Sequence, residues 1–482
     1  MVKLKGIKGG KMKKLNKMAC VVISLLLAIS NFACSNNDSS SSQEENCAVT
    51  GNHSYRLVGL EYGQSEIEKC GTYICDNCNY EIQKSITTQD LGLPIVEFFG
   101  SIDGISKENK VKVGVKYTSE ENSFECDATL KVQGASSAGY PKKNFTIQLF
   151  EKQTNYDKKF KVRMADKWGQ ESKYCLKANW IDFSHSRNIV SAKLYGQVSK
   201  SRNIADGFNR LVNGGAIDGF PVVIYLNGAF HGLYTWNIPK DSWLFKMDND
   251  DLYQALVMAD DWTASTGLSA PVSKDFVSSG WELEYCSTED TEGTDWVVDS
   301  LNDMIDFLNN YNGENFKEKL STYINVERAI DCMLHTAVIN GCDNVSKNIL
   351  WATYDGTQWM PCVYDMDSTW GLFWDGNSYY QTTDFQFEVL KNANVLWRRL
   401  FEYYEKDITN RYFELRETVY SIDNIEKEFS NFINQIPPFV YSCEYCKWEE
   451  IPSIDSSNYF QIVSFAIHRL KYLDMEFAKI KN

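Results

Sequence analysis

Apolar and polar residues alternate along the segment from residue 91 to residue 150. Valine occupies every second position of KVKVGVKYT, and Phe145, Ile147 and Leu149 repeat this spacing further along. Because successive side chains of a strand point to opposite faces, a period of two places the apolar residues together on one face. The segment therefore predicts several β-strands in a mixed or antiparallel sheet.

Helical spacing replaces this alternation in the second half of the chain. Residues 297 to 311 and residues 325 to 340 carry apolar side chains at intervals of three and four, as one buried helix face requires. The same spacing continues from LWRRLFEYY towards the end. An earlier helix is expected to begin near Ser184 or Ser186, either of which could cap it. Strands followed by helices predict an α+β fold with a helical C-terminal lobe.

Two hairpins are predicted by short apolar runs that flank turn residues. The segment FPVVIYLNGAFHGLYTW contains Asn227-Gly228, a pair that favours a two-residue hairpin turn. Further along, NILWATY and WMPCVY flank the turn DGT. The second hairpin directly follows the predicted helix 325 to 340, and acidic and amide residues stand at both of its ends.

These residues are Asp343 and Asn348 before the hairpin, and Asp365 and Asp367 after it. Phosphoryl transfer requires an acid that orients the nucleophile, an amide five residues later that holds metal, and a second acid near that metal. A hairpin would return one of the later acids to Asn348, and we favour Asp365 because it follows the strand directly. Each residue alone is typical of an ordinary turn or strand end. Their joint spacing favours a phosphoryl-transfer site.

A turn of small residues, QGASSAG, precedes these motifs by about two hundred residues. Its backbone amides, at Ser136 and Ser137, could approach phosphate groups, and Lys142 or Lys143 could neutralise them. Such a turn is also common in solvated hairpins. Strand periodicity places Lys143 on the face of Phe145, so Lys143 would point inward if that face lines a cleft.

The same segments resemble, in the same order, the CotH family of spore-coat and secreted kinases, which are distant relatives of protein kinases. The resemblance covers approximately residues 91 to 482. It rests on the segments VQGASSAGYPKKNFTIQL, LKANWIDFSHSRNIVSAKL, VVIYLNGAFHGLYTWNIPKD, CDNVSKNILW and VYDMDSTWG.

This resemblance implies an atypical protein-kinase-like fold of two lobes. It also implies that ATP and a divalent metal, Mg²⁺ or Mn²⁺, serve to phosphorylate Ser or Thr of surface or secreted proteins. Asp343 would be the catalytic aspartate, with Asn348 and Asp365 as metal ligands. Lys142 or Lys143 would contact phosphate.

The sequence departs from the family pattern at two places. Gln133 stands where the family often has an arginine before the Gly/Ser turn, and NIPKD stands where an acidic residue is common after the hairpin. The first departure weakens the expected phosphate contact, and the second leaves the nucleotide-facing partner open. His231, His335 and His468 are scattered rather than spaced as metal ligands, so we expect structural roles for them.

The N-terminus predicts export. Seven lysines precede the apolar run ACVVISLLLAIS, which is too short to span a bilayer and is followed by Ala33-Cys34. We expect a lipoprotein signal peptide over residues 1 to 33, lipidation of Cys34, and a flexible tether over residues 34 to 46. An ordinary cleaved signal or an uncleaved anchor are the alternatives. The lipoprotein interpretation places the protein in the cell envelope, anchored to a membrane.

Charge and size limit what the exported body can do. The 482 residues carry a net charge of −15, which disfavours general binding to nucleic acid. Hydrophobic residues, at 43%, supply a large core. We divide the body into a Cys-rich segment over residues 47 to 90 and a kinase-like domain over residues 91 to 482.

The Cys-rich segment contains Cys47, His53, Cys70, Cys75 and Cys78. Two thiolates separated by two residues can bind one tetrahedral ion, which gives the segment a zinc-ribbon-like character. Disulfides in an oxidising compartment explain the same cysteines equally well. Either Zn²⁺ or disulfides would stabilise a region that is too small to fold on its own core.

Two functions of different class are consistent with these observations. The first is a membrane-tethered kinase that phosphorylates surface or secreted proteins. The second is a cell-surface binding or adhesion protein that keeps the kinase-like scaffold without turnover. The joint presence of Asp343, Asn348 and Asp365 favours the kinase, because an adhesin has no need of all three.

Overall fold

The computed structural model describes residue 47 and residues 51–63, 69–204, 208–247, 252–289, 293–376 and 386–481. The predicted signal peptide, the tether and Cys34 lie outside these residues. The described chain is α+β, as the sequence predicted, with a small Cys-rich β segment at its beginning. Among the described helices, none has the length and apolar character needed to cross a membrane.

The Cys-rich segment forms a three-stranded antiparallel sheet. Its strands are β1 (Tyr55–Leu60), β2 (Cys70–Cys75) and β3 (Glu81–Ser85), with β2 in the centre. A short helix, α1 (Thr88–Leu91), follows and is closed at its start by a reciprocal capping box.

The predicted sheet closes into a seven-stranded barrel. Burial alternates along its strands, which explains how a period of two in the sequence fills the barrel with apolar side chains. Within the barrel, only its first and sixth strands in chain order pair in parallel. The strands are β4 (Ile95–Phe99), β5 (Val111–Thr118), β6 (Ser123–Gln133), β7 (Asn144–Phe150), β8 (Lys173–Lys177), β9 (Gly219–Leu226) and β10 (Ala229–Asn237), in the spatial order β10-β8-β7-β6-β5-β4-β9.

The three-stranded sheet packs on this barrel. The backbone amide of Lys69 donates to the carbonyl of Gly228, 2.9 Å away, and the amide of Phe230 donates to the carbonyl of Glu61, 3.1 Å away. Both contacts lie at the β9–β10 hairpin. The turn of that hairpin is Asn227-Gly228, with φ of 48° and 82°, as the sequence predicted.

A second, four-stranded antiparallel sheet lies beyond the barrel in sequence. It has the order β12-β11-β13-β14, and its central strands are fully buried. The strands are β11 (Ala255–Ala259), β12 (Trp281–Cys286), β13 (Ile349–Thr353) and β14 (Met360–Val363).

Most of the remaining described helices follow the barrel in sequence and form the C-terminal part. The helices predicted at residues 297 to 311 and 325 to 340 are confirmed, as is the helical character of the end of the chain. The helices are α2 (Arg187–Ser201), α3 (Asp295–Asn310), α4 (Phe316–Tyr323), α5 (Val326–Ile339), α6 (Phe387–Lys391), α7 (Val395–Arg416), α8 (Ile422–Ile433), α9 (Pro438–Lys447) and α10 (Tyr459–Lys481).

A buried ion pair ties the barrel to helix α9. The ammonium of Lys142 lies 2.5 Å from a carboxylate oxygen of Glu444, and both side chains are fully buried. The Lys142 ammonium also donates to the carbonyls of Ala178 and Leu233, and Glu444 accepts the backbone amide of Leu233 at 2.8 Å. Because every charged atom has a partner, the pair can exist away from water.

We expect that breaking this pair destabilises the fold. Lys142→Met leaves the Glu444 carboxylate buried without its cation, which costs about 3–5 kcal/mol of unfolding free energy. The double variant Lys142→Met/Glu444→Gln removes both charges and keeps an acceptor for the Leu233 amide, so it should lose less. Urea unfolding followed by tryptophan fluorescence measures both. A double variant that is less stable than Lys142→Met would contradict this prediction.

Candidate active site

A cleft of about 800 Å³ opens beside the mouth of the barrel. Its walls come from the loop between β6 and β7, from β8, from the turn after α5 and from the segment after β14. These are the four regions that carry most of the residues singled out in the sequence. The fold therefore brings together side chains that are separated by more than two hundred residues.

The Gly/Ser turn forms one wall of the cleft. Ser136 and Ser137 line it, within a short 3₁₀ turn over Ser136–Gly139. Gly134 starts this turn with a backbone φ of 111°, which residues with a Cβ rarely adopt. A Cβ there would also clash with the Ser137 side chain. The ammonium of Lys143 donates to the carbonyl of Ala138 at 2.9 Å. Lys143 thus holds the turn and is absent from the lining of the cleft.

Lys177 is one of several lysines that line the cleft, and the sequence analysis did not select it. Lys142 and Lys143 were the predicted phosphate contacts, but the first is engaged by Glu444 and the second by the turn. Lys177 ends β8 and is 8% exposed, with its ammonium 5.9 Å from the centre of the Tyr364 ring. A lysine at the end of a strand, directly after Tyr-Cys-Leu, was the available signal.

The turn after α5 carries Asp343 and Asn348 into the cleft. Asn340 ends the helix in the left-handed conformation, and a 3₁₀ turn over Asp343–Val345 follows. The side-chain amide of Asn344, which is buried, donates to the carbonyl of Tyr364 at 2.7 Å and to that of Asn348 at 3.3 Å. Asn344 therefore fixes the distance between the start and the end of the following hairpin.

The hairpin β13–β14 returns Asp365 to Asn348. Ile349 pairs with Val363 at the open end of the hairpin. The side-chain amide nitrogen of Asn348 lies 3.5 Å from the backbone carbonyl oxygen of Asp365. Asn348 and Asp365 both have left-handed backbones, with φ of 55° and 47°. Asn and Asp tolerate this conformation better than most residues, so the amide and the acid suit their positions.

Helix α2 holds the segment that follows Asp365. The side chain of Asn188 accepts the backbone amide of Met366 at 3.1 Å, and the hydroxyl of Ser191 accepts the indole N–H of Trp370 at 2.8 Å. The hydroxyl of Thr369 donates to the Met366 carbonyl at 2.7 Å. Asp367 lies inside this fixed segment and also lines the cleft.

Burial and nearby charges change the pKa values of Asp343 and Asp367 in the cleft. Burial and the neighbouring Asp365 raise the pKa of Asp367 well above its usual range, and Lys177 opposes this effect. Burial also raises the pKa of Asp343, and the ammonium of Lys347 opposes it. Lys347, which stands between Asp343 and Asn348 in the sequence, also lines the cleft. The sequence analysis did not select it.

The donors in this cleft suit a divalent cation. Asn348, Asp365 and Asp367 offer amide and carboxylate oxygens, which Mg²⁺ and Mn²⁺ prefer. Burial raises the pKa of Asp367, and repulsion from Asp365 adds to this effect; a bound cation would relieve that repulsion. These three residues therefore fit the metal that phosphoryl transfer requires.

The Cys-rich sheet has its own cluster away from this cleft. Cys47, His53, Cys75 and Cys78 place their ligand atoms within 4.8 Å of one another, so they could hold a metal ion. Cys70 was predicted with them, but its sulfur lies instead 3.9 Å from the Gln83 side chain. The structure thus groups three of the four predicted cysteines and adds the histidine.

The predicted structural role of the histidines fits His335, which is buried. Its Nδ1 lies 2.9 Å from the hydroxyl of Tyr420, and burial lowers its pKa to about 3. His231 stacks against Tyr234, and His468 contacts the carbonyl of Ser464 within α10.

Comparison with known proteins gives one family. A family model described as CotH kinase protein matches residues 130–473, which is more than half of the chain. The match contains the whole cleft wall from the Gly/Ser turn to Asp367, whereas the Cys-rich sheet lies before it. No curated protein matches the chain.

We expect the cleft to bind Mn²⁺ through the acids after β14. Asp365→Asn should weaken this binding by more than about tenfold, because an amide replaces a charged oxygen ligand. Asp303→Asn, an exposed acid on helix α3, is the matched control and should bind as the parent does. Electron paramagnetic resonance of free Mn²⁺ during titration measures both affinities. Equal affinity in Asp365→Asn and the parent would contradict the assignment.

Proposed function

The chain belongs to the CotH kinase family, and we propose that it is an atypical protein kinase. The reaction transfers the γ-phosphate of ATP to a Ser or Thr hydroxyl of a protein. One observation carries this proposal: Asp343, Asn348 and Asp365 converge in a single cleft together with Lys177 and a turn of small residues. Phosphoryl transfer needs this combination of an acid, oxygen ligands for metal, and phosphate contacts.

Asp343 is the proposed catalytic aspartate, which would act as a base. It lies in the cleft at the end of helix α5 and is separate in sequence from the acids after β14. Its carboxylate would orient the attacking hydroxyl and accept its proton as the bond to phosphorus forms. Lys347, which lies near Asp343, would offset negative charge that develops on the transferred group.

Lys177 and the Gly/Ser turn are the proposed phosphate contacts. Lys177 is buried beside the aromatic ring of Tyr364, so its charge acts at a fixed place with little screening by water. Ser136 and Ser137, which also line the cleft, offer backbone amides and hydroxyls. This assignment replaces Lys142 and Lys143, which the structure engages elsewhere.

Asn348, Asp365 and Asp367 are the proposed ligands of Mg²⁺ or Mn²⁺. When bound, the metal would neutralise phosphate charge and orient the γ-phosphate. We assign the first place to Asp365, because the hairpin sets its backbone against Asn348. Asp367 would complete the set from the segment that helix α2 holds.

We infer that the barrel and the helical part correspond to the two lobes of a protein kinase. The phosphate contacts come from barrel strands and their loop, and the acids come from the second sheet and the helices. In protein kinases, phosphate contacts likewise come from one lobe and the catalytic and metal-binding acids from the other.

We propose further that the enzyme acts in the cell envelope. The lysine-rich start, the short apolar run and Ala33-Cys34 support a lipid anchor at Cys34. The substrates would then be surface or secreted proteins, and the acidic charge of the chain disfavours general binding to nucleic acid.

Phosphate transfer tests the proposed function. We expect the chain to incorporate label from γ-labelled ATP with Mn²⁺ or Mg²⁺, into itself or into casein as a generic acceptor. Asp343→Asn should reduce the rate by about 10²–10⁴-fold, because it removes the proton acceptor. Asp303→Asn should keep the parental rate. Absence of both transfer and metal-dependent nucleotide binding would overturn the proposal and favour a binding protein.

Lys177 should matter for ATP where other barrel lysines do not. Lys177→Met removes a buried positive charge from the cleft, so the KM for ATP should rise and kcat should fall. Lys112→Met, at an exposed position on barrel strand β5, is the matched control. Steady-state kinetics at varied ATP compares the variants. Unchanged kinetics in Lys177→Met would remove this lysine from the site.

A further inference from the structure

The N-terminal sheet brings four soft ligands to one point. Cys47 precedes the sheet, His53 stands just before β1, and Cys75 and Cys78 flank the turn after β2. Their ligand atoms all lie within 4.8 Å of one another. No member of this group lines the cleft described above.

The distances in the cluster match the edges of a tetrahedral metal site. The sulfurs of Cys47 and Cys75 lie 3.8 Å apart, and the sulfur of Cys78 lies 3.3 Å from Nδ1 of His53. With Zn–S of about 2.3 Å and Zn–N of about 2.0–2.1 Å, tetrahedral geometry requires about 3.8 Å and about 3.5 Å for these two edges. A disulfide would require sulfurs about 2.05 Å apart.

The backbone holds both ligand loops in register. The amide of Asp76 donates to the carbonyl of Ser54 at 2.9 Å, which joins the turn after β2 to the residue that follows His53. Asn79 closes the turn in the left-handed conformation, with φ of 59°, and its amide donates to the carbonyl of Cys75. The turn therefore presents Cys75 and Cys78 on the same side.

Aromatic packing fixes the histidine ring. The ring of His53 contacts those of Tyr55 and Tyr80, with centroids 5.3 Å and 5.4 Å apart. Between these neighbours, Nδ1 is the ring atom that approaches the Cys78 sulfur. The imidazole is thus oriented for binding before any ion arrives.

We propose that Cys47, His53, Cys75 and Cys78 bind one structural Zn²⁺ ion. Three thiolates and one imidazole fill a tetrahedron, so the ion has no open position for a substrate. Thiolate-rich sites select Zn²⁺ over the hard cations that suit the cleft. The ion joins Cys47 to the strands and stabilises a sheet whose own apolar core is small.

The site also supports the packing of this sheet on the barrel. The backbone amide of Leu60, at the end of β1, donates to the sulfur of Cys443 on helix α9 at 3.2 Å. The same helix carries Glu444, the partner of Lys142. Loss of the ion should therefore loosen the sheet and weaken its contact with α9, while the cleft residues keep their own supports.

Metal analysis of the full-length chain tests this proposal. Protein purified without chelator should contain about one zinc ion per molecule, and Cys78→Ser should lose it. Cys70→Ser is the matched control, because Cys70 is buried in the same sheet outside the cluster, and it should retain the ion. A parent protein with less than a tenth of an equivalent of zinc would overturn the proposal.

Two further measurements separate metal loss from misfolding. Replacement of zinc by Co²⁺ in the parent protein should give the visible absorption of a tetrahedral thiolate complex, which needs no variant. Chelation should lower the thermal midpoint and expose Cys47, Cys75 and Cys78 together to a thiol reagent. A disulfide between any two of them, found by mass spectrometry of the untreated protein, would contradict the proposal.

Discussion

The side-chain amide of Asn344 determines where the chemistry of this protein can occur. It donates to the carbonyls of Asn348 and Tyr364, which stand at the two ends of the β13–β14 hairpin. Without such a bridge, the turn after α5 and the segment after β14 would be joined by the ladder of a short hairpin and by the contact of the Asn348 side chain with the Asp365 carbonyl. With it, an acid and an amide from the start of the hairpin and two acids from its end share one cleft. The residues that support the acids are buried, which makes the arrangement rigid before a ligand binds.

Charge is divided in the molecule according to solvent exposure. The chain carries a net charge of −15, and the buried Lys142 is compensated by Glu444. The acids of the cleft lack such complete compensation, and burial and their mutual proximity raise the pKa of Asp367. Structural lysines thus sit in closed networks, whereas Lys177 and Lys347 face the open cleft. That contrast separates the lysines that hold the fold from those available to a substrate.

The sequence predicted local features far better than distant contacts. Helices α3 and α5, the Asn227-Gly228 turn and the hairpin before Asp365 follow from periodicity and turn chemistry, which act over a few residues. Barrel closure depends on the pairing of β4 with β9, more than a hundred residues apart, and no local pattern encodes it. Strand parity could place Lys142 and Lys143 on opposite faces, but it could not show that Lys142 would form an ion pair with Glu444. The choice of Lys177 required the three-dimensional fold.

The most direct test of the kinase assignment is a crystal structure with a non-hydrolysable ATP analogue and Mn²⁺. Anomalous scattering distinguishes manganese from the lighter atoms of the protein and the nucleotide. We expect a manganese peak bound by Asn348 and Asp365, with the terminal phosphate between Lys177 and Asp343. Nucleotide bound outside this cleft, or manganese bound without contact to either ligand, would contradict the assignment.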